Sequence, residues 1–164
     1  MGERLTGADV RKIEAEIEER MLVLRPELIQ AVKEARAQGD LSENFEYYAA
    51  KREKNRNESR IAYLERMLKF ATIIEDRAAA DEVGINKSVE VYFIDDDESE
   101  RYKIVTGIRG DTTAGRVSIE SPLGKALLGH RVGDLVHVAL PQGGYDLEIR
   151  AIEADDSDDE IRSF

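Results

Sequence analysis

Apolar residues in the first quarter of the chain recur at spacings of three and four, the pattern of one face of an α-helix. Thr6 followed by Asp9 has the form of a helix N-cap. The stripe comprises Val10, Ile13, Ile17, Met21, Leu24, Leu28, Ala31 and Ala35. It predicts an amphipathic helix of about 30 residues, or about 45 Å. Pro26 lies inside the stripe, which continues in phase across it, so we expect a kink rather than a break.

A second helix is predicted from near Ser42, after Gly39 has ended the first one. Its predicted inner face has heptad-like spacing and comprises Tyr47, Ala50, Lys54, Asn57, Ile61, Leu64 and Leu68. If the two helices pair antiparallel, the numbers of facing residues sum to roughly 83, with Met21 near Ala62. Polar residues in such a seam lower stability but help to fix the register.

From Ser88 onwards the apolar period changes from about 3.6 to 2, which predicts β-strands. The predicted strands are 88–94, 101–105, 117–119, 135–140 and 145–152, and 122–128 is a short helix candidate. About five strands with one helix form a small α+β domain.

These patterns divide the chain into four segments. Residues 1–75 form a helical hairpin, 76–87 a linker and 88–153 the strand-rich domain. Residues 154–164 form an acidic tail, because six of the eight residues from Glu153 to Glu160 are acidic. Such composition buries little apolar surface, so we expect the tail to be disordered.

Composition excludes several classes of protein. The 164 residues include no cysteine, which excludes disulfides and thiolate metal sites, and no apolar run approaches the roughly 20 residues that cross a membrane. The N-terminus lacks a signal-peptide core, so we expect a cytoplasmic protein with no membrane partner. We also expect a monomer. The net charge of −11 argues against wrapping duplex DNA. His130 and His137, with no cysteine nearby, do not indicate a zinc site.

Asp40 and Glu43 flank the predicted turn between the helices, three residues apart. Their carboxylates suit a hard cation such as Mg²⁺, although two ligands make an incomplete site. The segment Asp40-Leu41-Ser42-Glu43 is equally a capping pattern, in which Asp40 accepts a backbone N–H and Glu43 favours the positive helix end. On spacing alone the cap is the commoner explanation.

A basic run follows the turn and comprises Lys51, Arg52, Lys54, Arg56 and Arg60. With Glu53 and Glu58 it has a local net charge of +3, in a protein that is acidic as a whole. Beside Phe45, Tyr47 and Tyr48, such a patch can hold a nucleic-acid backbone while rings stack on bases. The alternative is a solvated helix face with internal ion pairs.

Two separate motifs then resemble a known family. Residues 39–47 read Gly-Asp-Leu-Ser-Glu-Asn-Phe-Glu-Tyr, and residues 121–129 read Ser-Pro-Leu-Gly-Lys-Ala-Leu-Leu-Gly, followed by Val132-Gly133-Asp134. Together with residues 25–29 they closely resemble the bacterial GreA/GreB transcript cleavage factors, and GreA most. The resemblance implies an α+β protein with an N-terminal antiparallel coiled-coil hairpin and an FKBP-like domain, whose coiled coil enters the secondary channel of RNA polymerase.

The resemblance also implies a role for individual residues. Asp40 and Glu43 match acidic tip residues that are donated to the polymerase active site, where they share a Mg²⁺ ion only in the complex. No cofactor is then bound stably by this protein alone. The tip-supporting positions are Asn44, Glu46 and Tyr47, the basic run from Lys51 to Arg60 faces the nascent RNA, and Ser121 and Pro122 dock on the polymerase.

The function implied is stimulation of the polymerase's own hydrolysis of backtracked RNA, with no catalysis by this protein itself. Two positions depart from the family, since Phe45 replaces a residue that is more often small and Tyr48 replaces a frequent His. An alternative is a non-catalytic channel binder that inhibits or modulates RNA polymerase, and another is a structural coiled-coil adaptor. A fold shared with FKBP does not by itself carry isomerase activity.

Overall fold

The computed structural model describes residues 2–39 and 44–163. The chain divides into two compact units, with the boundary between Thr72 and Ile73. Among the described residues, no helix is long and apolar enough to cross a membrane. The two units are described in turn.

The first unit is a helical hairpin. It contains strand β1 (Arg4–Leu5), helix α1 (Gly7–Glu19), a π-helical turn (Arg20–Leu24), helix α2 (Arg25–Arg36) and helix α3 (Phe45–Phe70). Strand β2 (Thr72–Ile73) follows and pairs with β1 in a two-stranded sheet. Thr6 caps α1 as predicted, because its hydroxyl accepts from the Asp9 N–H at 3.2 Å and the Asp9 carboxylate accepts from the Thr6 N–H at 3.0 Å.

The helix continues past Pro26, as predicted, but through a wide turn. Proline has no N–H, and its ring crowds the carbonyl of Leu22 four residues earlier. The π-helical turn ends immediately before α2, where the Arg25 N–H donates to the Arg20 carbonyl five residues back. This extra residue per turn rotates the apolar stripe. Met21 is 38% exposed. After the π-helical turn Arg25 pairs with Glu58, in agreement with the predicted register. Before the turn Arg20 pairs with Asn57, so the predicted register, which placed Met21 near Ala62, is shifted there.

Polar pairs link the two arms of the hairpin. The Arg20 guanidinium donates to the Asn57 side-chain oxygen at 3.0 Å, and the Asn57 amide donates to the Arg20 carbonyl at 3.1 Å. Arg25 forms two parallel hydrogen bonds with the Glu58 carboxylate, at 2.9 and 2.8 Å. Asn57 is 3% exposed, which confirms its predicted place in the seam.

The second unit is a five-stranded sheet with one short helix. The strands are β3 (Lys87–Phe93), β4 (Glu98–Val105), β5 (Arg116–Ser118), β6 (Leu135–Val138) and β7 (Tyr145–Ala154), and helix α4 is Pro122–Leu127. Their order is β5-β4-β3-β7-β6, and all neighbours are antiparallel except β4 and β5. This is the mixed α+β architecture that the sequence predicts.

The core of this unit is one apolar cluster. It comprises Val83, Ile85, Val89, Val91, Ile104, Val117, Ile119, Leu127, Val136, Val138, Leu147 and Ile149. Val83 and Ile85 fall within the predicted linker 76–87, so the second half of that segment belongs to the folded unit. The loss of heptad spacing there marks the end of the hairpin rather than an unpacked connection.

The acidic C-terminal segment also differs from the prediction. Residues 155–163 form no helix or strand, yet they pack against the sheet unit, and Asp159 is 7% exposed. The Arg162 N–H donates to the Ile108 carbonyl at 2.7 Å. The segment's own charge suggested disorder, but basic side chains elsewhere in the unit compensate that charge.

Candidate functional site

The turn of the hairpin carries the predicted acidic pair. Asp40 and Glu43, together with Leu41 and Ser42, lie outside the described residues. The described residues on either side are Gly39, whose φ is +123°, and Asn44. The Asn44 amide donates to the Ala35 carbonyl at 2.6 Å and so links the two arms beside the predicted turn.

Asn44 is the N-cap of α3. Its side-chain oxygen accepts from the Tyr47 N–H at 3.0 Å, while its backbone is extended. The second helix thus begins at Phe45 and not near Ser42. The N-cap that the structure describes is Asn44, whereas the capping interpretation named Asp40 and Ser42, which lie outside the described residues. One amide satisfies both an unpaired N–H of α3 and a carbonyl of the opposite arm. The preference for Asn at N-caps is a sequence signal that could have identified this position.

Tyr47 anchors the start of α3 to α2. Its side chain is 9% exposed, and its ring lies 5.6 Å from the Arg36 guanidinium and edge-on to Tyr48 at 5.3 Å. A hydrogen bond with Arg36, aided by nearby Lys51, lowers the pKa of the Tyr47 hydroxyl. Asn44 and Tyr47 therefore join the start of α3 to α2, whereas Glu46 is exposed.

Phe45 projects from the start of α3 and is 85% exposed. Tyr48, one turn further on, is 46% exposed. Two aromatic side chains thus face solvent directly after the turn. Single exposed rings are ordinary, but their position beside the turn makes them available to a partner that contacts it.

The predicted basic run divides into two sets. Arg60 is buried, with 10% of its side chain exposed, and its guanidinium donates to the Glu16 carboxylate of the opposite arm at 2.9 Å. Its predicted role in facing RNA is therefore wrong, because the side chain points into the seam. Burial raises the Glu16 pKa, but hydrogen bonds from Arg60 and Arg20 outweigh it, so the pKa lies below its ordinary value of 4.5.

The other basic residues of the run are at least partly accessible to solvent. Lys51, Arg52 and Arg56 are exposed, Lys54 is half-buried, and Arg56 pairs with the exposed Glu53 at 2.8 Å. One face of α3 forms a shallow groove lined by Tyr48, Lys51, Arg52, Asn55, Arg56 and Ser59. Cations beside an exposed ring suit a single-stranded polyanion.

Ser121 and Pro122 begin α4 in the sheet unit. The Ser121 hydroxyl accepts from the Gly124 N–H at 3.1 Å and donates to the Ser118 carbonyl at 2.7 Å, so this residue caps the helix. A Cβ on Gly124 would lie 1.9 Å from the Ser118 carbonyl oxygen. The Ser-Pro-Leu-Gly motif therefore has a local structural explanation, and Pro122 is exposed beside it.

The described residues contain no group of three or more His, Cys, Asp or Glu side chains that could hold a metal. Each histidine instead lies beside one carboxylate: His130 Nδ1 is 3.1 Å from Asp134, and His137 Nδ1 is 2.8 Å from Asp146. The hydrogen bond with Asp146 raises the His137 pKa.

These features define a protein of two units, a helical hairpin followed by an α+β unit. Residues 3–73 match the family described as "Transcription elongation factor, N-terminal", and residues 78–154 match "Transcription elongation factor, GreA/GreB, C-term". The chain belongs to the GreA/GreB family of transcription elongation factors.

Two relatives named transcription elongation factor GreA agree with this assignment. The chain is 45% identical over 150 residues to "Transcription elongation factor GreA" of Streptococcus gordonii, covering 91% of this chain and 94% of the relative. The protein of the same name from Streptococcus pneumoniae serotype 19F has equal identity and coverage. Among solved structures, GreA factor homolog 1 (Gfh1) of Thermus thermophilus is 29% identical, with a TM-score of 0.44, covering 94% of this chain and all of that one.

Proposed function

We propose that this protein stimulates RNA polymerase to hydrolyse backtracked nascent RNA, with its hairpin inserted in the secondary channel of the polymerase. The observation that carries the proposal is the 45% identity, over 91% of the chain, with relatives named transcription elongation factor GreA. The sheet unit docks on the polymerase through the region of Ser121 and Pro122.

Within this proposal, Asp40 and Glu43 are donated to the polymerase active site. Their carboxylate oxygens are the hard donors that Mg²⁺ prefers, and two of them leave positions for ligands from the polymerase. The ion would orient and activate the water that attacks the RNA phosphate. This protein alone then holds no metal stably and performs no hydrolysis.

The described contacts support this role by joining the two arms beside the segment that carries Asp40 and Glu43. Asn44 links the two arms through Ala35, and Tyr47 packs beside Arg36, so the ends of the segment that carries both carboxylates are fixed. In this proposal, joining the two arms limits the conformational freedom that the carboxylates lose on forming the complex, which favours catalysis. The exposed residues Lys51, Arg52 and Arg56 attract the RNA backbone.

The test is cleavage of labelled RNA in a backtracked elongation complex of bacterial RNA polymerase. We expect the double substitution Asp40→Ala and Glu43→Ala to reduce stimulated cleavage by at least about 100-fold, the scale on which loss of catalytic groups acts. A matched control is Glu14→Ala with Glu18→Ala, which removes two exposed carboxylates of α1. It should leave cleavage unchanged.

Two further measurements separate the alternatives. Binding of the double variant to polymerase should be retained, and this protein incubated with free RNA and Mg²⁺ should release no product. Cleavage by the double variant at the rate of the unmodified protein would contradict the proposal. Binding without any stimulation by the unmodified protein would instead support a non-catalytic channel binder.

A further inference from the structure

Three basic side chains of the sheet unit converge at one place. Lys103 comes from β4, Arg109 from the short turn Gly107–Arg109 and Arg116 from β5. Their side chains are only 8%, 7% and 19% exposed. Clustered cations that are largely removed from water require an anion, since an uncompensated buried charge is strongly unfavourable.

The Asp159 carboxylate supplies that anion, and it is itself only 5% exposed. Its Oδ2 accepts from Lys103 Nζ at 2.7 Å and from Arg109 Nη1 at 3.1 Å. Arg116 Nε lies 3.9 Å from the other carboxylate oxygen. Two charged donors on one oxygen, with a third cation on the other, suit the small planar carboxylate group.

Other carboxylates contact the same cations. Asp155 lies 3.8 Å from Lys103, and Asp111 lies 3.7 Å from Arg116. Asp155 belongs to the same C-terminal segment as Asp159, whereas Asp111 lies between β4 and β5. Removing the segment would therefore take two carboxylates from the cluster and leave Asp111 beside Arg116.

The segment that carries Asp159 is attached without regular structure. Residues 155–163 add no strand or helix, and their further contacts include the Asp155 N–H to the Asn86 carbonyl at 2.8 Å and Lys103 to the Ser157 carbonyl at 2.8 Å. The family match ends at residue 154. The basic site thus lies in the part shared with the family, and its occupant lies beyond that part.

We propose that Lys103, Arg109 and Arg116 form a binding site for an acidic peptide segment, and that residues 155–163 occupy it as a releasable ligand of the same chain. Because residues 155–163 add no strand or helix, the segment can open without disturbing the apolar core. The three cations that it covers would then be exposed to water, which would offset part of the cost of losing Asp159. An acidic segment of another protein can then take the vacated site. Because the attached segment competes at an effective concentration near the millimolar range, its release controls access.

The first experiment needs no variant. Hydrogen exchange of the backbone amides in residues 155–163 is measured in the full chain and in a synthetic peptide of residues 155–164. We expect the attached segment to exchange at least about tenfold more slowly than the peptide, since charge-assisted hydrogen bonds hold it in place. Equal exchange rates would overturn the proposal.

The second experiment tests release. In the full chain, Asp159→Asn should accelerate exchange of the segment by at least about tenfold, the change expected for loss of a charge-assisted hydrogen bond. Asp156→Asn removes the same charge from an exposed neighbour and should have little effect. Equal acceleration by both variants would show that total charge, rather than this site, holds the segment.

The third experiment tests binding of a separate peptide. A fluorescein-labelled peptide of residues 155–164 is titrated with the full-length Asp159→Asn variant and with the unmodified chain. The variant should bind at least about tenfold more tightly, because its own segment competes less. Three results would contradict the proposal: equal binding to both chains, equal binding of a peptide carrying Asp159→Asn, or displacement by inorganic phosphate at the same concentration as unlabelled peptide.

Discussion

The two units of this protein are stabilised internally by different kinds of interaction. The sheet unit packs twelve buried apolar side chains into one cluster. The arms of the hairpin are joined both by apolar residues and by polar pairs such as Arg60 with Glu16 and Arg20 with Asn57. Fully buried apolar residues are fewer in the described part of the hairpin and include Ile13 and Leu64.

Apolar packing and polar pairs therefore have different roles: the first mainly stabilises a unit, and the second mainly fixes how its elements align. Apolar contacts are non-directional and scale with the area buried, so they stabilise a fold without selecting one alignment of neighbouring elements. A buried ion pair or amide contributes little net stability but penalises every alignment in which it loses its partner. The hairpin must present its turn at a fixed position in our proposal, and a polar seam serves that need.

The largest expected effect is in the sheet core. Leu147→Ala should lower the free energy of unfolding of the sheet unit by about 3–5 kcal/mol, because Leu147 is 0% exposed and surrounded by the apolar cluster. Leu64→Ala, at an equally buried position of the hairpin, should cost about 2–3 kcal/mol, since a two-helix seam can collapse around the cavity. Hydrogen exchange resolved by unit measures both losses. Equal losses of unfolding free energy would contradict the conclusion that apolar packing stabilises the sheet unit more than the hairpin.

A smaller effect is expected from the ion pair of the seam. Glu16→Gln and Arg60→Met, combined in a double-mutant cycle, should show a coupling free energy of about 1–3 kcal/mol, because both groups are largely buried. The matched control is Glu53 with Arg56, an exposed pair on α3, for which we expect at most about 0.5 kcal/mol. Urea denaturation followed by circular dichroism measures both cycles.

The same pair makes the hairpin sensitive to acid. The Glu16 pKa is lower in the folded protein than its ordinary value of 4.5, so the contribution of Glu16 to stability is fully present above pH 4.5. It is lost as the pH falls below 4.5 and through the lower folded-state pKa. Glu16→Gln should reduce this acid dependence, and an unchanged dependence would contradict the assignment of the shift to Arg60 and Arg20.

Periodic patterns predicted most of the fold. The change of apolar period from helical to alternating located both units, and the five strands of the sheet lie within a few residues of the predicted ranges. Successive side chains of a strand point to opposite faces of the sheet, so a strand with one buried face shows alternating apolar residues in its own sequence. The family motifs likewise identified Asp40 and Glu43 as candidate site residues, which composition and spacing alone left as a cap or a metal site.

Features that depend on contacts between distant residues were not predictable in this way. Arg60 belongs to a run of basic residues, and only its position opposite Glu16 shows that it faces the seam. The docking of Asp159 depends on Lys103, which lies 56 residues away along the chain. The π-helical turn before Pro26 was not predicted, because a helix can accommodate one proline through several distortions.

The smallest expected effect is at the turn itself. Asn44→Ala should destabilise the start of α3 by about 1 kcal/mol, because it removes both the cap of the Tyr47 N–H and the bond to the Ala35 carbonyl. Asn44→Asp keeps the cap oxygen but cannot donate to Ala35, so it separates the two contributions. Hydrogen exchange of the first turn of α3 measures the loss. If RNA cleavage falls with Asn44→Asp while the Tyr47 amide stays protected, the bond between the arms, rather than the cap, positions the carboxylates.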